Sequence, residues 1–345
     1  MPIFVSKDFI LKLLTNIASL AIHKWRDLLA QSPFASPFQT PEFYDFYNAI
    51  EGQRADVFAL EVDGAYLAFV LVCVQKEQGI KAYFSRRAIV YGGLLLHPQV
   101  TNAHLTPFLE HIVAHYRRQI IYLEIRNNFD YAKYRSSFQK AHFDYLPWLN
   151  FKVNIPSLNA FRQGMSKSRQ RQVRKAQSLG TSWREAFSEQ DLKAFYAILH
   201  DLYQRKVHKP LPSYAFFKAL QASDFACCLL VEKDQEIIGG VMCLIDKASC
   251  LYEFYICGQD KLYPQHHPSI MAMWAMADYA TQKAIPTLDL MGAGAADKAS
   301  SVRNFKAKFG GELVEHGRFL MISRPLLYKL GKSYLKFISF LKSLF

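Results

Sequence analysis

The 345-residue sequence has no C-x-x-C pair, no G-x-S-x-G elbow, no Walker loop and no G-x-G-x-x-G fingerprint. Zinc-ribbon, thioredoxin-like, serine-hydrolase, P-loop and Rossmann chemistries therefore lack their usual signals. No stretch approaches the ~20 uninterrupted apolar residues of a membrane-spanning helix. Lys7, Asp8 and Lys12 interrupt the apolar N-terminal stretch and no small-residue cleavage pattern follows Ile22, so no signal peptide is expected. Cysteine is scarce. Cys73, Cys227, Cys228, Cys243, Cys250 and Cys257 sit mostly in apolar, strand-like runs, where a thiol acts as a small buried hydrophobe, and the reading is a reducing compartment without structural disulfides. Acidic residues are also few, 29 against 42 Lys+Arg, and the resulting +13 favours an anionic partner without choosing among nucleic acid, phosphorylated substrate and acidic lipid.

What is present is core material. Hydrophobic residues make up 51% and aromatics 14%, enough for burial to offset chain entropy, so wholesale disorder and coiled coil are excluded. At about 150 residues per domain, the length allows roughly two.

An internal repeat organises the chain. Residues 55–73 read as a strand, a polar turn at Asp63-Gly64 and a second strand; residues 226–244 have the same grammar, with Glu61 and Asp63 matched by Glu232 and Asp234. Downstream, the strand-like 120–125 leads to a helix ending in 138–146, and 287–291 leads through GAGAADKAS to 305–313, so Phe138 and Phe143 parallel Phe305 and Phe309 within a one-residue slip. Two ordered matches predict two copies of one α/β unit, each a meander, a helix, a strand, a helix and a final strand. The first helices are expected at 101–118 and 268–283. Between the copies lies a helical insert: 157–179 closed by Gly180, then 189–206 and 213–221 separated by Pro210 and Pro212. The junction is expected near Asn154-Ile155-Pro156.

Several local patterns are weaker than they look. His111 and His115 share a helix face, but Ile112 stands where a metalloprotease motif needs glutamate, and His266-His267-Pro268 reads as a turn; no metal site is expected. Residues 162–175 carry Arg162, Lys167, Arg169, Arg171, Arg174 and Lys175 with no acid, either a solvated face or a phosphate-binding surface. The last segment, from Arg324, is a basic amphipathic helix with Leu327, Leu330, Tyr334, Phe337, Ile338 and Leu341 on one face and Lys329, Lys332 and Lys336 on the other. It either packs on its own protein or lies on an anionic membrane, and both hold if only its lysines meet lipid.

Six ordered segments carry a family resemblance: Pro37-Phe38-Gln39-Thr40-Pro41-Glu42-Phe43; Gly92-Gly93; Ser168 to Ala176; Leu202 to Lys206 with Tyr214, Phe216 and Phe217; Leu288-Asp289-Leu290-Met291-Gly292; and Val302-Arg303-Asn304-Phe305-Lys306 with Phe309-Gly310. In these the chain resembles the FemAB-like acyltransferases, a tandem GNAT-fold family that includes enzymes adding amino acids to peptidoglycan side chains. The resemblance implies an α/β (α+β) chain of two GNAT-like domains, 1–155 and 156–324, with the helical insert 157–222 in the second and the C-terminal helix, 325–345, packing back on the first.

It also implies a cytoplasmic N-acyltransferase of envelope synthesis, peripheral at the inner membrane face, with no permanent cofactor. The donor is aminoacyl-tRNA or acyl-CoA, and the acceptor an amine on a nucleotide-, lipid- or sugar-linked envelope precursor. Acylating an amine needs a neutral nucleophile and stabilisation of a tetrahedral oxyanion. Lys306 matches the family lysine at the donor 3′ end and oxyanion, with Phe305 beside it; Asp289, Glu253 and Tyr255 are candidates for orienting the amine or relaying its proton. Arg169, Arg171, Arg174 and Lys175 are placed with Lys306 on the donor side, Arg303 is a further substrate-binding candidate, and Arg86, Arg87 and Arg126 are placed on the acceptor side. Two departures bear on the substrates. GQDKLYPQHHPS has only Gly258 where ordinary GNAT enzymes cradle the coenzyme A diphosphate in a glycine-rich loop. Phe43, Tyr44 and Tyr47 stand where peptidoglycan-bridge members continue with Trp and Lys. The rival readings are an acyl-CoA- or acyl-carrier-dependent N-acyltransferase of amino sugars or amino lipids, and a non-enzymatic RNA- or anionic-lipid-binding module.

Overall fold

In a computed structural model of the chain, the described residues are 11–75, 86–207, 210–247 and 249–333. They fall into two compact units, one of the described residues up to 147 together with those from 316 on, the other of those within 148–315.

The first unit is built on β1 (Leu11–Leu14), β2 (Gln53–Val62), β3 (Ala65–Gln75), β4 (Arg87–Gly92), β5 (Leu95–Leu96), β6 (Tyr122–Asn127) and β7 (Asp144–Leu146). The second uses β8 (Trp148–Asn154), β9 (Ser182–Glu185), β10 (Ala226–Lys233), β11 (Glu236–Asp246), β12 (Cys250–Gly258), β13 (Thr287–Asp289), β14 (Gly294–Ala295) and β15 (Glu312–Glu315); β16 (Arg318–Ile322) returns to the first. The two long hairpins share a cause. Asp63 and Gly64, and likewise Asp234 and Gln235, all have positive φ, the geometry of a two-residue turn whose twist matches its strands.

In sheet one the order is β1-β2-β3-β4-β6-β16-β7, with β5 on β3. β4 and β6 are parallel, joined by the helix Asn102–Tyr116, as a parallel pair requires. Alternate residues such as Phe58, Val72, Val90 and Ile125 meet Leu105, Phe108 and Ile112 of that helix in one core. Sheet two runs β14-β8-β13-β12-β11-β10-β9, with β15 on β8, and its parallel pair β12 and β13 is joined by the helix Pro268–Gln282. The six cysteines are buried, in β3 and β10 to β12. Trp25 donates its indole N–H to the Gln39 carbonyl, and the buried Gln39 side chain bridges Ser36 and the Gly93 carbonyl, so the N-terminal glutamine motif fastens the Gly92-Gly93 turn.

Two expectations are corrected. The helix expected over 157–179 is two, Leu158–Gly164 and Lys167–Ser178, because Met165 turns extended and the Ser166 hydroxyl caps the second at Arg169 N–H. The helix expected to reach 206 ends at Leu202 and continues as a wider turn over Tyr203–Val207. The domain boundaries also move, from 155/156 to 147/148 and from 324/325 to 315/316, because the flanking strands cross over. β8 leaves the first unit at once and pairs with β13, while β16 comes back to lie between β6 and β7. The chain therefore departs and returns on cross-strand neighbours, Leu146 opposite Arg318 in one sheet and Leu149 opposite Glu315 in the other.

Of the terminal helix, Pro325 to Ser333 is described: Tyr328 packs edge-on against Tyr122 at 5.3 Å, and Arg324 donates to the Arg118 carbonyl. Tyr334, Lys336, Phe337, Ile338 and Leu341 lie outside the described residues.

Candidate active site

The parallel pair is where the two copies differ. β4 and β6 stay paired over six residues, from Arg87 opposite Tyr122 to Gly92 opposite Asn127. β12 and β13 pair over only three, ending at Tyr252 opposite Asp289. Past that point β12 continues to Gly258, and the other strand turns away through Met291, Gly292 and Gly294, all at positive φ. A bulge at Phe254, inserted between the Cys243–Glu253 and Met242–Tyr255 pairs, bends β12 at the same level. The result is a split in the second sheet with no counterpart in the first.

Lys306 fills the foot of this split. Its Nζ lies 2.9 Å from Glu253 Oε1 on one strand and donates to the carbonyls of Leu290, Met291 and Gly292 on the other, the last two at 3.4 Å. Both side chains are about 5% exposed. Three ammonium protons face four internal acceptors, so Lys306 ties the diverging strands together.

Beside it Asp289 is fully buried. Its Oδ1 accepts from Asn150 Nδ2 at 2.6 Å and from Met291 N–H at 2.9 Å, and Asn150 Oδ1 in turn accepts from the Phe151 and Gly292 N–H groups. Glu253 Oε2 and Asp289 Oδ2 are buried without a hydrogen-bond partner. Burial pushes both carboxyls above the ordinary range, opposed by Lys306 at Glu253 and chiefly by Asn150 and Lys152 at Asp289. Two carboxyls raised by burial, each with one buried oxygen that lacks a partner, thus lie with Lys306 at the foot of the split.

The other expected residues are dispersed over both units. Arg303 donates to the Ala293 and Ala295 carbonyls and so braces the 293–295 loop. Tyr255, beyond the bulge, packs on Phe217 at 5.0 Å and Tyr203 at 6.2 Å. Phe305 packs on Phe309 at 5.2 Å, and the Arg169 guanidinium lies over both rings, 5.0 and 5.5 Å from their centroids. Arg169 Nε is buried without a partner, and burial lowers its pKa. Arg171, Arg174 and Lys175 are exposed on the same helix.

Arg87 and Arg126 belong to sheet one. Arg87 donates to Gln75 Oε1 at 2.7 Å, and Arg126 pairs with Glu124 at 2.8 Å and lies over Tyr91. Arg86, half-buried, gives its carbonyl to Ile121 N–H. Phe43 and Tyr47 are core residues, whereas Tyr44 is partly exposed. Asn150, Arg318 and Glu124 carry no local motif, and sequence reasoning passed over them.

Comparison with known proteins agrees with this architecture. Residues 164–305 match the family model described as an acetyltransferase (GNAT) domain. The structure of FemX is similar at a TM-score of 0.69 and 13% identity, over 92% of this chain and 99% of that one. A tandem GNAT protein from the clavulanic acid biosynthesis pathway follows at 0.58 and 11%, over 91% and 98%. The C-terminal domain of a putative lysylphosphatidylglycerol synthetase from Agrobacterium fabrum gives 0.57 and 11%, over 91% and 95%. No curated protein matches the sequence. At these identities the likenesses establish the tandem fold.

Proposed function

We propose that this GNAT-fold acyltransferase moves an aminoacyl group from aminoacyl-tRNA to an amine on an envelope precursor, working in the cytoplasm at the inner membrane face. The observation that carries the reading is the helix Lys167–Ser178. It exposes Lys167, Arg171, Arg174 and Lys175 with no acidic residue, and through Arg169 it stacks on Phe305, the neighbour of Lys306 in the split. An unneutralised basic surface next to a reaction site suits a polyanionic donor whose reactive end must reach that site. A lysylphosphatidylglycerol synthetase domain with the same fold supports an aminoacylated, membrane-linked product.

In this reading the amine attacks the ester carbonyl, the C–N bond forms, and the bond to the ribose oxygen breaks. Glu253 Oε2 or Asp289 Oδ2 takes the amine proton and returns it to the departing ribose oxygen, so the carboxyl pair ends as it began. Arg86, Arg87 and Arg126 are the proposed contacts of the acceptor. The test is to incubate the protein with charged total tRNA or with an acyl-CoA panel, each with envelope-precursor extract, and follow transfer by mass spectrometry. Transfer that ribonuclease abolishes is the expected result; transfer from acyl-CoA alone replaces this reading with N-acylation of an amino sugar or amino lipid.

A further inference from the structure

The first turn of the helix Pro268–Gln282 stands where the GNAT resemblance puts a donor diphosphate, because it follows the first strand of the split pair. A helix N-terminus holds phosphate with unspent backbone N–H groups and the positive end of its dipole. Here each first-turn donor is accounted for. Pro268 has no N–H; the Ser269 N–H goes to Asp260 Oδ1 at 3.2 Å; the Ile270 and Met271 N–H groups both go to the His267 carbonyl, at 2.9 and 3.0 Å. The Ser269 hydroxyl is spent as well, on Asp260 Oδ2 at 2.5 Å. The seat of an anion is thus already taken by a carboxylate of the same chain.

The loop that delivers this carboxylate is fastened. Thr181 Oγ1 hydrogen-bonds His266 Nδ1 at 2.8 Å, and Tyr263 donates its hydroxyl to Glu236. At its start Gly258 lies against the helix so closely that a Cβ there would sit 2.5 Å from Ser269 N and 2.6 Å from Ser269 Oγ. Nor does the first unit offer a substitute. The helix Asn102–Tyr116 is closed by the Thr101 and His104 capping pair, and β4 and β6 remain zipped.

We propose that Asp260 is a donor-specificity residue: its carboxylate occupies the diphosphate seat of the second unit and repels coenzyme A, leaving the enzyme to donors that bring no diphosphate to that helix. This rests on the acyltransferase reading above and deepens it. A free diphosphate would have to displace a bonded carboxylate, and of the first-turn backbone donors only the Ser269 N–H is not committed to His267, although Arg169 lies near enough to feel the Asp260 charge. The charge is the decisive part, since an amide at position 260 keeps an acceptor for Ser269 without the repulsion.

The experiment titrates the full-length wild type and Asp260→Asn with coenzyme A, and with inorganic pyrophosphate as the minimal probe, by calorimetry. Wild type is expected to show no saturable binding of either, and D260N to bind coenzyme A about tenfold or more tightly, the effect of removing one unit charge beside a polyanion. Saturable coenzyme A binding by the wild type overturns the proposal even if the variant fails to fold, and so does a well-folded D260N that binds no better than wild type. Transfer assays on the wild type run in parallel keep the two readings apart. Turnover with acyl-CoA overturns the role of Asp260 and leaves an acyltransferase. Refusal of coenzyme A with no transfer from charged tRNA overturns the aminoacyl-tRNA reading and leaves Asp260 as the closed seat.

Discussion

Arg126 and Arg318 stand directly opposite each other on β6 and β16 and close on one carboxylate, that of Glu124, at 2.8 Å from each side. Like charges directly opposite in a sheet repel, so the pair is tolerable only while Glu124 lies between them. The two guanidinia, set against burial, hold the Glu124 carboxyl down at about 2. Glu124→Gln is expected to cost about 3 kcal/mol, the loss of one partner from a largely buried ion cluster. A depressed carboxyl contributes stability above its ordinary value and loses it as the pH falls. Wild-type stability attributable to this group therefore drops between about 4.5 and about 2, and in E124Q that acid limb is flatter. Denaturant melts across this range measure both effects.

Lys306→Met removes the cation that draws Glu253 down. The Glu253 carboxyl, already raised by burial, rises further and prefers its proton. A raised carboxyl favours the fold below its unfolded value and ceases to do so as the pH climbs through its folded one, so K306M is expected to melt higher at pH 5 than at pH 8, opposite to its effect on a solvated site. At neutral pH the loss is about 3–5 kcal/mol. The double variant K306M/E253Q recovers a good part of it, and a double-mutant cycle gives the coupling.

Arg171, Arg174 and Lys175 are exposed, so replacing all three by alanine is expected to leave the melting curve nearly unchanged, within about 0.5 kcal/mol per site. Binding of tRNA, by contrast, weakens, and the slope of log affinity against log salt falls by roughly two to three, one counterion term per lost contact. Unchanged binding with an unchanged slope would place the donor elsewhere.

Residues 148–315, expressed alone, are expected to fold and melt cooperatively. Their two ends are cross-strand neighbours, Leu149 opposite Glu315, and the unit has its own core around the helix Pro268–Gln282. Circular dichroism during thermal unfolding is a sufficient readout.

How much of this was legible in the sequence depends on distance along the chain. The hairpin turns at Asp63 and Asp234 announce themselves locally, as do the Gly180 cap and the Pro268 helix start, and the repeat follows from them. The Ser166 cap was not read, because the basic run around it looked like one continuous helix. The Lys306 motif was legible, whereas its burial was not, because the acceptors come from residues 253 and 290–292, on strands set by the fold. Asn150 reaches Asp289 across 139 positions, and no local pattern encodes such a pair. The crossing of β8 and β16 was missed for the same reason: nothing in either strand says which sheet will receive it.

That crossing fixes the order in which the molecule can be completed as it leaves the ribosome. The first unit begins first, yet the strand that lies between β6 and β7 is made only after the whole of 148–315 has emerged. Until then β6 and β7 present unpaired edges, the kind of surface that recruits chaperones or foreign strands. Meanwhile the second unit already holds β8 and β15 and can close. A premature stop between 315 and 318 would thus spare the unit that carries the split and strand the one synthesised earliest.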